Sequence, residues 1–303
     1  MFTRPACRID PPVPAGYTGM MTVPHIAHSP LAESVRQLIL REMDDMCYPP
    51  DADDAAHSLR VSGKRIRAWL GILRDAMGDK AWRREDVMVR DLGRLFSARR
   101  DSRVLIATLD TLEKDGTAHF SAEDTAELRA VLEAEADAIE AAVPMSEALS
   151  QVRDVLFPAR RRLEGLRLGR AHPKTAFRRI WKKASKAHAE ALRSRDTDAL
   201  HEWRKQAKSL RYQLDALKDI WPRRVKAWNR RLKVQGDLLG QDHDLAVLAE
   251  RLEDDARREA IAARRKDLQD KVFAAARPFY RSRPNAIARQ LGARWKKWRK
   301  AAA

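Results

Sequence analysis

The stretch His201–Leu217, HEWRKQAKSLRYQLDAL, separates its charges from its hydrophobes if it is helical. At about 100° per residue, His201, Arg204, Lys208 and Arg211 fall on one narrow stripe. Trp203, Leu210, Leu214 and Leu217 fall on another, roughly a quarter-turn or more away. The apolar stripe can bury against neighbouring helices while the basic stripe lines an edge or groove. Cations three and four residues apart on one face repel each other. Such a row is tolerable when solvated and favoured where an anion bridges it.

The same stretch occurs 144 residues earlier, where His57–Leu73 reads HSLRVSGKRIRAWLGIL. In that register His57, Arg60, Lys64 and Arg67 match His201, Arg204, Lys208 and Arg211. Leu59, Ile66, Leu70 and Leu73 match Trp203, Leu210, Leu214 and Leu217. Downstream, Gly93–Leu105 (GRLFSARRDSRVL) matches Gly236–Leu248 (GDLLGQDHDLAVL), with the offset slipping by one. Any two amphipathic helices share apolar positions. Four polar identities in register, followed by a second matching block, point instead to an internal duplication.

This pair of blocks resembles the CHAD family, the conserved histidine α-helical domain. The family pattern stands here as H-x-x-R-V-x-x-K-R-x-R at His57–Arg67 and as H-x-x-R-K-x-x-K-x-L-R-Y at His201–Tyr212. The C-terminal RPNAIARQLGARWKKW is similar to the family's closing helix, so the resemblance covers roughly residues 30–300. It implies two helical bundles related by a pseudo-twofold axis, around a basic central channel that binds inorganic polyphosphate. The chain departs from the pattern at Gly63, an unfavourable residue in a helix interior. It departs again in the trailing block, which is Arg99-Arg100-Asp101 in the first copy and Asp242-His243-Asp244 in the second.

Charge is segregated along the chain. Residues 1–150 hold 19 basic and 25 acidic residues and residues 151–303 hold 41 and 18, so the halves carry −6 and +23 of the net +17. A half this basic implies a polyanionic partner: phosphate polymer, nucleic acid or anionic membrane surface. A merely solubilising surface would explain the charge but not its segregation. Hydrophobic residues make up 44% of the 303, enough for a core, and with aromatics at 6% Leu and Ala must do most of the packing. Cys7 and Cys47 alone provide neither a disulfide framework nor a cysteine metal site, which fits a reducing cytoplasm. No apolar run approaches the length of a membrane span, and the N-terminus does not read as a secretory signal.

The expected fold is all-α. Residues 1–29 carry prolines and glycines without periodicity and read as a disordered leader. Residues 30–143 form a first helical bundle and 144–303 a second. Ser29-Pro30 starts a helix through Met46, and Asp51–Asp54 lead into the first motif helix, which runs to about Met77. A single helix is expected over Trp82–Lys114 and another, opened by a Ser-x-x-Asp signature, over Ser121–Ala142. Pro158 and two glycines break Leu156–Arg170; helices follow over Lys174–Arg193, from Asp196 to before Pro222, and from about Arg223 to Arg258. Pro278 and Pro284 bracket a turn before the closing helix. Short connections favour antiparallel neighbours.

A helical row of cations repeats every ~5.4 Å, a spacing that a polymeric anion can bridge and a single phosphate cannot. Arginine adds bidentate oxygen contacts and lysine a point charge. The inner binding set is therefore Arg60, Lys64, Arg67, Arg204, Lys208 and Arg211. Arg65, Lys205, Arg178, Arg179, Lys182 and Lys183 form an outer set, some of them simply solvated. His57 and His201 read as hydrogen-bonded structural residues near helix starts or as anion contacts when protonated. As metal ligands they lack a second His or Cys at i+3 or i+4. Asp244, aligned with Asp101, is read as a carboxylate that orients an arginine rather than as a metal ligand.

No zinc-protease helix, P-loop or nucleophile triad can be assembled. The expected function is non-catalytic polyphosphate binding, with no cofactor and no metal, in the cytoplasm and in association with polyphosphate granules. The residues support a polyanion groove, and the choice of polyphosphate comes from the resemblance. A nucleic-acid binder is the alternative, although Trp69 and Trp203 lie off the basic stripes and so cannot stack bases there. A third reading is an accessory subunit of a polyphosphate- or triphosphate-processing enzyme.

Overall fold

A computed structural model describes residues 31–49 and 55–301. The expected leader with Cys7, the Ser29-Pro30 start and Asp51–Asp54 lie outside the described residues. Within them the chain is helices joined by turns and irregular segments, with no strand. The elements are α1 (Leu31–Cys47), α2 (Ala55–Met77), α3 (Asp79–Leu95), α4 (Ser97–Lys114), α5 (Ala122–Ala142), α6 (Met145–Gly165), α7 (Pro173–Ser194), α8 (Thr197–Asp215), α9 (Pro222–Ala249), α10 (Asp255–Tyr280) and α11 (Pro284–Ala301). No described helix is long and apolar enough to cross a membrane.

The caps are local chemistry. Ser121 and Asp124 form a reciprocal capping box on α5, and the Asp196 carboxylate accepts from the Ala199 N–H at 2.7 Å to open α8. Gly78 makes the α2–α3 turn at φ 79°, a backbone angle that favours glycine.

Four boundaries differ from the sequence expectation. The helix expected over Trp82–Lys114 divides at Phe96, which takes φ −103° and ψ 8° and is buried. Val89, Leu92 and Phe96 pack in one core, whereas Leu105, Leu109 and Leu112 pack in another. The chain bends between two cores while its buried stripe keeps a helical period. Conversely, α6 runs through Pro158 and α10 through Pro278. Each proline, like the residue four before it (Asp154 or Ala274), lies on the exposed face, so the carbonyl it leaves unbonded is open to water. The long helix after Pro222 ends at Ala249 rather than Arg258, because Asp254 caps α10 by accepting from the Arg257 N–H at 3.1 Å.

The larger core draws on α1–α3 and α6–α11 and runs on both sides of Pro144. Aromatics, though few, are concentrated in it: Trp181 stacks on Phe279 with ring centres 4.7 Å apart, and Trp203 on Phe273 at 5.1 Å. Burying each such ring contributes about 1.5–3 kcal/mol or more. The smaller core holds the α4–α5 hairpin against α9 and α10 through Leu109, Phe120, Leu132 and Leu248. Helix α6 packs on α1 and α3, while α2 packs on α8, which is the contact that builds the site.

Candidate functional site

The two motif helices, α2 and α8, touch directly. Trp69 donates its Nε1–H to the Tyr212 carbonyl at 2.9 Å. At Gly71 a Cβ would come within 2.8 Å of Gln213 Nε2, so a side chain there would displace the end of that glutamine. Arg60 and Lys64 from α2 and Arg204 and Lys208 from α8 then share one electrostatic environment. Arg100, in the first turn of α4, joins them as a fifth cation that acts on all four. The bend at Phe96 brings it in: Ser97 beside that bend accepts a hydrogen bond from Arg60 Nη1 and donates to the Gly93 carbonyl at 3.3 Å.

Helix α9 forms the floor. Its Gly236 and Gly240 leave room for cationic side chains to lie along its backbone. A Cβ at Gly236 would stand 3.8 Å from the Lys208 stem, and one at Gly240 would stand 3.6 Å from Arg204 Nη2. Two carboxylates border the cluster, and both address Arg100: Asp101 at 3.1 Å and Asp244 at 3.7 Å. An arginine-orienting role for these aspartates therefore has its geometry. Among the described residues no carboxylate lies within 4.0 Å of Lys64, Arg204 or Lys208. Arg204 is 8% exposed, and its Nε and that of Arg60 are buried with no hydrogen-bond partner among them.

The electrostatic consequences follow. Burial first, and the neighbouring cations second, push Lys64 down to about 8 and Lys208 down to about 7. Arg60 and Arg204 are lowered too, chiefly by burial. Burial raises the Asp244 carboxyl against the pull of Arg100, Arg204 and Lys208. At the rim the His201 and His243 rings sit 4.4 Å apart, each with a buried Nδ1 lacking a partner among the described residues. Burial lowers both, His243 to about 4, so His243 carries no charge near neutrality.

The structure thus gathers four of the six inner residues. Arg67 lies apart, held by Asp86 of α3 at 2.9 Å, and Arg211 stacks over the Tyr212 ring at 5.3 Å. Arg211 instead lines an open cavity of about 580 Å³ with Asp215, Lys226 and Arg230, between α8 and α9. The outer set is scattered. Arg65 pairs with Glu42 of α1 at 3.0 Å, Arg179 ties α7 to α2 through Asp75 and the Gly71 carbonyl, and Lys205 pairs with Glu202. Arg178, Lys182 and Lys183 are exposed on α7, and His57 is exposed near the start of α2. Among the described residues no three His, Cys, Asp or Glu side chains cluster to hold a metal ion. Arg100 was not among the expected binding residues. Its signal was the alignment of the trailing blocks, which placed an Arg-Arg-Asp run opposite Asp-His-Asp.

The family model described as the CHAD domain matches residues 31–253, ending before α10. Among solved structures, the crystal structure of the CHAD domain from the plant Ricinus communis is similar at 20% identity, covering 82% of this chain and 92% of that one with a TM-score of 0.48. No curated protein matches the sequence.

Proposed function

Because the chain belongs to the CHAD family, we propose that it binds inorganic polyphosphate, without catalysing a reaction on it, at the cations gathered between α2, α4, α8 and α9. The carrying observation is that Lys64, Arg204 and Lys208 lie together with no carboxylate within 4.0 Å among the described residues. Cations desolvated and packed against one another cost free energy unless an anion shares the site. An anion carrying one charge per short repeat meets α2, α8 and Arg100 at once, and the guanidiniums offer paired donors to its oxygens. Recruitment to polyphosphate granules and residence in the cytoplasm would follow from the same affinity.

The site disfavours nucleic acid as the primary ligand. Trp69 and Trp203, the aromatics of the motif helices' apolar faces, are 7% and 0% exposed and offer no surface on which bases can stack. The deciding experiment is a competition assay in which labelled long-chain polyphosphate is displaced by unlabelled polyphosphate of graded length, single-stranded DNA and duplex DNA. Polyphosphate is expected to win, with a steep salt dependence. Equal or tighter binding of DNA would transfer the reading to nucleic acid, and steady release of orthophosphate from the polymer would make the protein an enzyme.

A further inference from the structure

The cluster that gathers phosphate-binding guanidiniums also contains amines, and the two chemistries together define a reactive site. We propose that Lys208 is a self-acylation site for small acyl phosphates, in which the cluster's arginines hold the phosphate group while the Lys208 amine takes the acyl group. This rests on reading the cluster as a phosphate site, but not on the polymer as its ligand.

The geometry supplies each requirement. Lys208 Nζ has no carboxylate within 4.0 Å among the described residues, so no ion pair holds its proton. Its stem lies along α9, where a Cβ at Gly236 would stand 3.8 Å away, and the residue is half-buried beside the cluster. The charged groups acting on it are Arg204 from its own helix, Lys64 from α2, Arg100 from α4 and Asp244 from α9, a preponderance of positive charge. Together with burial they push the amine down to about 7. A lysine desolvated beside other cations is an activated nucleophile. An ordinary exposed lysine is almost wholly protonated near neutrality, whereas the lowered Lys208 amine keeps a neutral fraction able to attack.

The step balances without a co-reactant. The neutral amine's lone pair attacks the carbonyl carbon of the acyl phosphate, the carbon–oxygen bond to phosphorus breaks, and its electron pair leaves on phosphate. The proton lost from nitrogen is taken up by that phosphate, which departs as hydrogen phosphate. The product is an amide, which can no longer take up a proton when an anion enters the cluster. Acylation would therefore lower the affinity of the cluster for any polyanion.

The test is acetyl phosphate incubated with the full chain, followed by peptide mass spectrometry, with exposed Lys182 and Lys183 as reference amines in the same molecule. Lys208 is expected to be acetylated on the order of tenfold faster than Lys182, or more, because the neighbouring guanidiniums hold the phosphate beside an amine with no ion-pair partner. Pyrophosphate should protect it, and N-acetoxysuccinimide, an acyl donor with no phosphate, should lose most of the preference. Lys208 labelled no faster than Lys182, no protection by pyrophosphate, or equal selectivity with both donors would each overturn the proposal. Polyphosphate affinity is measured separately by titration. Tight polymer binding with unselective labelling sinks the acylation site alone, whereas selective, pyrophosphate-protected labelling without polymer binding sinks the polymer reading alone.

Discussion

Trp69 of α2 donates its indole N–H to the backbone carbonyl of Tyr212 of α8 at 2.9 Å, and so ties the two motif helices at a defined height. Trp69 is 7% exposed, so water does not replace the bond if it is lost. Trp69→Phe should cost about 0.5–1.5 kcal/mol for the hydrogen bond, with a further loss from the smaller ring. Thermal denaturation should show a midpoint lower by a few degrees. Affinity for polyphosphate should fall as well, because the tie sets how Arg60 and Lys64 meet Arg204 and Lys208. Unchanged affinity in a destabilised variant would mean that the spacing of the cations does not depend on this contact.

Central and peripheral cations should separate cleanly in binding. Lys208→Glu or Arg60→Glu places a carboxylate inside the cluster and should reduce polyphosphate affinity by roughly two orders of magnitude, with about one unit lost from the salt-dependence slope per phosphate contact removed. Arg178→Glu changes an exposed position on α7, outside the gathered cations, and should leave the titration nearly unchanged. Similar losses at both places would show that polymer binds by diffuse attraction to the basic half of the chain. Helicity by circular dichroism should be retained in all three.

How far the sequence reached is explained by which signals are local. Helix positions, the Ser121 and Asp196 caps and the cationic stripes are written in neighbouring residues, and all were legible. The bend at Phe96 was not, because its buried stripe keeps a helical period while serving two cores. Pro158 and Pro278 misled in the opposite direction, since each sits on a solvent-facing side where a missing hydrogen bond is tolerated. For the site, periodicity placed Arg67 and Arg211 in line with their neighbours. It carried no information about Asp86 of α3, which holds Arg67, or about Arg100, which arrives from α4. Partners from other helices are a property of packing, which periodicity within one helix does not encode.

Stability without ligand should rise with pH. Lys64 is lowered to about 8 and Lys208 to about 7 from an ordinary value of 10.5, so between those limits the unfolded chain binds more protons than the folded one. That difference makes unfolding less favourable as pH increases through the window, and leaves the penalty fully present below it. Polyphosphate reverses the trend by favouring the charged amines. Its stabilising effect should be largest near pH 6 and shrink towards pH 9. Thermal scans of wild type and of Lys64→Met/Lys208→Met, with and without polymer, measure both slopes. A double variant whose unliganded slope matches wild type over pH 7–10 would remove these lysines as its source.

The floor of the site offers the most selective structural test. Gly240 of α9 lies under Arg204, where an added Cβ would meet Nη2 at 3.6 Å, an ordinary contact distance. Gly240→Ala should therefore be accommodated, and the gain in helix propensity, about 0.8–1 kcal/mol, should raise the thermal midpoint. Gly240→Leu sends a branched side chain into the volume that the guanidinium occupies. Arg204 must then leave α9, separating it from Lys208 and Arg100. Polyphosphate affinity should fall about tenfold or more in the Leu variant, a loss of about 1.4 kcal/mol, and stay near wild type in the Ala variant. Wild-type binding by Gly240→Leu, with the fold intact, would show that the α9 floor does not position Arg204 for the anion.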